Sequence, residues 1–79
     1  MDEEFIYKLR ELLKKQLGTS NLLAEYELII RKHPDYLADQ CFKDIHDMKN
    51  NKRLTLLYLN DHILSSIYAL EQETFGNTN

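Results

Sequence analysis

Between Gly18 and Gly76 the chain carries one residue that a helix interior does not tolerate, Pro34, and the 79 residues hold no other glycine or proline. Alternation of apolar and polar residues with period two, the mark of a half-buried strand, is missing as well. Long unbroken segments with apolar residues three and four apart leave helices as the structure such a chain can build. The spacing predicts four of them, at about 3–17, 20–33, 35–49 and 52–73, with residues 75–79 a disordered tail.

Local signals fix the ends. Phe5, Ile6, Leu9, Leu12, Leu13 and Leu17 share a face of the first helix, and Asp2, Glu3 and Glu4 suit the positive end of its dipole. Gly18 is predicted to supply the left-handed stop, with Thr19 or Ser20 capping the second helix. That helix turns Leu22, Leu23, Tyr26, Leu28, Ile29 and Ile30 inward and ends at His33, because the residue before Pro34 is pushed out of the α region. Pro34 is tolerated in the first turn of the third helix, whose stripe is Leu37, Cys41, Ile45 and Met48. Asn50 and Asn51 punctuate the last connection. Short connections predict antiparallel neighbours in one all-α domain, residues 1–74.

Composition then excludes classes of function. A net charge of -3 argues against a bulk electrostatic hold on nucleic acid, which needs a basic face. No signal-peptide pattern and no long apolar run is present, so the expectation is an intracellular protein without a membrane span. The one cysteine, Cys41, has no internal partner for a disulfide, which suits a reducing compartment.

The fourth helix is the least ordinary. In NKRLTLLYLNDHILSSIYAL, residues 51–70, Leu56, Leu59, Ile63, Ile67 and Leu70 form one stripe, and Leu57, Leu64 and Tyr68 form a second. A helix apolar on two sides is expected at the centre of the array, between neighbours. Tyr58, Asp61, His62 and Ser65 fall at i, i+3, i+4 and i+7 and share a polar face. Such a strip suits either plain exposure to water or the floor of a groove that meets a ligand rich in hydroxyls or backbone groups.

This stretch resembles the fourth-helix signature of the RPR domain, the CTD-interacting domain that binds the C-terminal tail of RNA polymerase II. Lys52, Leu54, Leu57, Tyr58, Asp61, Ile63 and Leu64 match that pattern without a gap. Upstream, KLRELL, LGTSNLL and IIRKHPDYL resemble the family's first helix, the turn into its second and the end of its second, so the likeness covers most of residues 5–68. The nearest group is the one that regulates nuclear pre-mRNA. The order and spacing of these motifs carry the likeness. The resemblance implies a right-handed superhelical array, ENTH/VHS-like, of which these four helices are the N-terminal half. It also implies a nuclear role in transcription and mRNA processing, with the tail held as a β-turn in a groove of the second, fourth and seventh helices. Carried over residue by residue, Asp61 accepts a hydrogen bond from the tail and Tyr58 shapes the pocket. Asn21 and Tyr26 lie near the groove lining, and His62 and Ser65 complete the strip. The seventh helix has no counterpart among the four, and Ser65 stands where the family often has a basic residue.

Other constellations point to little chemistry. His33, His46 and His62 have no metal-ligand spacing with each other or with Cys41, and a structural or solvated role is expected for each. No nucleophile motif, phosphate-binding glycine loop or cofactor fingerprint occurs, so neither enzyme activity nor a cofactor is expected. Arg31, Lys32 and His33 complement the dipole at a helix C-terminus. Lys52 and Arg53, at the start of the fourth helix, are the candidates for contact with a phosphorylated or acidic peptide. Tyr7, Tyr36 and Phe42 lie off or beside the apolar stripes. The alternative to peptide recognition is a small assembly protein that dimerises, or docks a partner, through the apolar fourth helix.

Overall fold

The computed structural model describes residues 2–32 and 36–76, and the side chains of residues 3–32 and 39–76. The fold is all-α, with four helices: α1 (Asp2–Lys14), α2 (Thr19–Arg31), α3 (Tyr36–Lys49) and α4 (Leu56–Phe75). Phe5, Ile6, Leu9 and Leu12 of α1 are buried, with Leu13 and Leu17 packed partly against them. They join Leu22, Leu23, Tyr26 and Ile30 of α2, Cys41, Ile45 and Met48 of α3, and Leu59, Ile63, Ile67 and Leu70 of α4 in one core. Leu37, predicted at the head of the α3 stripe, lies outside the described side chains, as does Tyr36.

The first connection differs from the expectation. Gln16, not Gly18, takes the left-handed conformation, with φ of 54°. After Lys14, the N–H groups of Lys15 and Gln16 donate to the carbonyls of Leu12 and Leu13, which closes α1 three residues early. Gly18 instead caps α2 in an extended conformation, and no side chain satisfies that helix start. Thr19 and Ser20 already belong to the helix. At the far end α2 stops at Arg31 and the Lys32 N–H closes the turn; His33 and Pro34 lie outside the described residues.

The fourth helix starts at Leu56, not near Lys52. Asn51 Oδ1 accepts from the Arg53 N–H at 2.9 Å and the Leu54 N–H donates to the Asn51 carbonyl at 3.1 Å. This is an asparagine-centred turn, which competes with helix. Thr55 then caps α4, its hydroxyl accepting from the Tyr58 N–H at 3.1 Å. Lys52 and Arg53 therefore sit in the turn before α4 and not in its first turn. Phe75, predicted in the tail, is the last helical residue, and Gly76 with φ of 69° ends α4.

The helix at the centre is α2. It packs against α1, α3 and α4, whereas α4 packs chiefly on α1 and α2. The expectation that α4 is covered on both sides fails because α2 takes the central place, and the neighbours of α4 cover one of its stripes only. Leu59 and Ile63 are fully buried, while Leu57, Leu64 and Tyr68 are 73%, 53% and 64% exposed. Leu28, expected inward on α2, is 58% exposed.

Candidate functional site

Helix α4 carries polar residues on two faces that do different things. On the inner flank, His62 and Ser66 are one turn apart and reach α2 and α3. The Tyr26 hydroxyl lies 2.9 Å from Ser66 Oγ, 3.3 Å from His62 Nδ1 and 3.5 Å from Cys41 Sγ. His62 Nε2 lies 3.0 Å from Asp44 Oδ2, and the Ser66 hydroxyl also lies 3.1 Å from the His62 carbonyl, to which it donates. The Tyr26 and His62 rings meet edge-on at 5.8 Å. Burial pushes the Tyr26 phenol far above its ordinary range, with the neighbouring Cys41 adding to the effect, so the hydroxyl stays protonated. The phenol has one proton to offer its three neighbours, and Ser66, whose own proton goes to the His62 carbonyl, stands to Tyr26 as an acceptor. Chemically the cluster satisfies buried polar groups and joins three helices.

Two residues expected at the groove are thereby placed inside. Tyr26 is fully buried, so it lines no open surface, and the His62 side chain is 15% exposed and committed to Asp44 and Tyr26. The sequence pointed to His62 through its spacing from Tyr58 and Ser65. It gave no sign of Asp44 or Ser66 as its partners, apart from the i, i+4 step from His62 to Ser66.

On the outer face the remaining candidates are open. Tyr58 is 55% exposed, Asp61 and Ser65 are exposed, and Asn21 is exposed near the start of α2. Leu57, Leu64 and Tyr68 run beside Asp61 on the same side of α4. A cleft of about 240 Å³ opens between the α1–α2 connection and the head of α4, lined by Leu13, Gln16, Leu17, Leu22, Leu56 and Asn60. It falls below the ~300–1,000 Å³ of small-molecule sites and is nearer the size of one side chain. Asn21 and Asp61 each follow or precede a lining residue in sequence, without lining the cleft themselves. The Asn60 amide is turned to its own helix, donating to the Leu56 carbonyl at 3.0 Å.

The basic residues sort themselves by partner. Glu27 of α2 takes Lys49 of α3 at 2.6 Å and Arg31 at 3.1 Å, and both cations draw its carboxyl below the usual range, the Lys49 hydrogen bond most. Arg31 also lies over the Phe42 ring, 5.7 Å from its centre. Lys52 and Arg53 remain exposed on the turn before α4. Among the described residues no group of three histidine, cysteine or acidic side chains is placed to hold a metal ion, and no helix is long and apolar enough to cross a membrane. Cys41 is free and buried. No protein-family model, no curated protein and no solved structure matches the chain.

Proposed function

We propose that the chain is a non-catalytic module that recognises a short peptide on the outer face of α4, and that the peptide is the polymerase II tail. In this reading the four helices are the first half of a right-handed superhelix acting in the nucleus, in transcription and mRNA processing. The observation that carries it is the exposed row Tyr58, Asp61 and Ser65 beside uncovered Leu57, Leu64 and Tyr68. A peptide with a hydroxyl donor and apolar side chains meets an acceptor and an apolar strip there. Asn21 extends the contact to α2, and Lys52 and Arg53 meet phosphate when the peptide carries it. Tyr26 and His62 support the face from inside instead of touching the peptide. Fluorescence anisotropy with a doubly repeated tail peptide tests the reading: saturable binding that Asp61→Ala weakens supports it, and no binding to any phosphorylation state ends it.

The uncovered apolar side chains on α4 favour a second reading, an assembly protein that buries this face against another chain. Soluble monomers seldom leave such a stripe bare. Sedimentation at several concentrations separates the two.

A further inference from the structure

The stripe left open on α4 has a period. Leu57, Asp61, Leu64, Tyr68, Glu71 and Phe75 follow one another at steps of 4, 3, 4, 3 and 4, the spacing of a helix that pairs with another helix. Leu57, Leu64, Tyr68 and Phe75 are each more than half exposed. The two charged positions differ: Asp61 is exposed, whereas Glu71 is ion-paired with Arg10 of α1, at the edge of the stripe.

This order is self-complementary when two copies run antiparallel. With Leu64 of one copy opposite Tyr68 of the other, Leu57 falls opposite Phe75 and Asp61 opposite Glu71, each pair related by the same two-fold axis. Apolar positions then meet apolar ones throughout. Two acids facing each other would repel, but Arg10 is already paired with Glu71 and half exposed, a cation within reach of an incoming Asp61. No parallel pairing does this, because it sets Asp61 against its own copy, far from either Arg10.

We propose that α4 pairs antiparallel with α4 of a second copy in this register, the Arg10–Glu71 pair of each chain receiving Asp61 of the other. The inference rests on the reading of α4 as an assembly surface and adds its partner and its geometry. The two acids fix the register, since a shift by one heptad sets Asp61 against Leu64 in one direction and Glu71 against Tyr68 in the other.

A short bis-maleimide crosslinker tests it on the full chain. Leu57→Cys and Phe75→Cys replace exposed side chains, so the core is untouched. Mixing the two single variants gives a covalent dimer, neither variant alone crosslinks, and the wild type with buried Cys41 is the control. Within one chain the two positions are ~27 Å apart, beyond a short linker. Arg10→Glu raises the dimer dissociation constant by roughly tenfold or more. Self-crosslinking of Leu57→Cys means parallel pairing and overturns the proposal. A concentration-dependent dimer without the mixed crosslink overturns the register but keeps the assembly reading. A monomer at every concentration in sedimentation overturns both.

Discussion

The hydroxyl of Tyr26, in the middle of α2, is 2.9 Å from Ser66 Oγ on the inner face of α4. One hydrogen bond so placed joins the central helix to the helix that carries the proposed contact surface. Tyr26→Phe keeps the ring and removes the hydroxyl, leaving Ser66, His62 and Cys41 short of a buried partner. The expected loss is about 1–3 kcal/mol, read as a lower urea midpoint with an unchanged slope. In a domain of this size that is a fall of about 4–8 °C in melting temperature per kcal/mol. A loss below ~0.5 kcal/mol means that the cluster contributes nothing to holding α4.

The two stripes of α4 call for opposite outcomes from similar truncations. Leu59→Ala and Ile63→Ala empty fully buried sites and should each cost about 2–5 kcal/mol. Leu57→Ser and Leu64→Ser remove side chains that touch little and should stay within about 0.5 kcal/mol for the isolated chain. Chemical denaturation of the four variants checks both halves.

Asp61→Ala should leave stability unchanged, because the carboxylate is exposed, and weaken tail-peptide binding. Loss of one hydrogen bond to a charged group is worth about 1.5–3 kcal/mol, or roughly 10- to 150-fold in affinity. Anisotropy titrations of wild type and variant decide it, and equal affinities remove Asp61 from the site.

Glu27 should shape the acid limb of stability. Its carboxyl is held below the usual range by Lys49 and Arg31, so its contribution is complete above the unfolded carboxylate pKa and is lost as pH falls through the folded value. Glu27→Gln should therefore cost stability at neutral pH and nothing at the acid end. The two cationic partners are about half exposed, so the effect is at most about 1 kcal/mol. Melting temperatures of both proteins across pH 2–7 should converge on acidification.

The α1–α2 connection carries avoidable strain. Gln16→Gly places the residue without a Cβ where φ is 54° and should stabilise by about 0.5–1 kcal/mol. Gly18→Asp supplies the missing side-chain cap at a backbone conformation that any residue adopts, and a Cβ there meets nothing within 4 Å. A gain of about 0.5–1 kcal/mol is expected. Thermal unfolding of each single variant and of the pair measures both.

Helix number and the inward faces of α1 and α3 were legible because apolar spacing alone sets them: Phe5, Ile6, Leu9 and Leu12, then Cys41, Ile45 and Met48. Helix ends were less so. Asn51 and Thr55 each offer a side-chain acceptor to the backbone, and between them they delay α4 past Lys52 and Arg53. Glycine is the usual left-handed residue, which pointed to Gly18, yet the hydrogen bonds closing α1 put Gln16 there. The candidate strip was the hardest part. Spacing put Tyr58, Asp61, His62 and Ser65 on one face, but a face about a third of the circumference wide spans both solvent and the flank toward α3. His62 went to Asp44 and Tyr26, and no pattern within α4 reports what stands on a neighbouring helix.

Helices α1, α2 and α4 touch one another pairwise, while α3 leans chiefly on α2. Release of α1 or α4 opens two seams and release of α2 three, whereas α3 is released by opening little more than one. Amide protons of α3 should consequently exchange with solvent ahead of the rest, through a partial opening that uncaps Tyr26 and leaves the face bearing Asp61 standing.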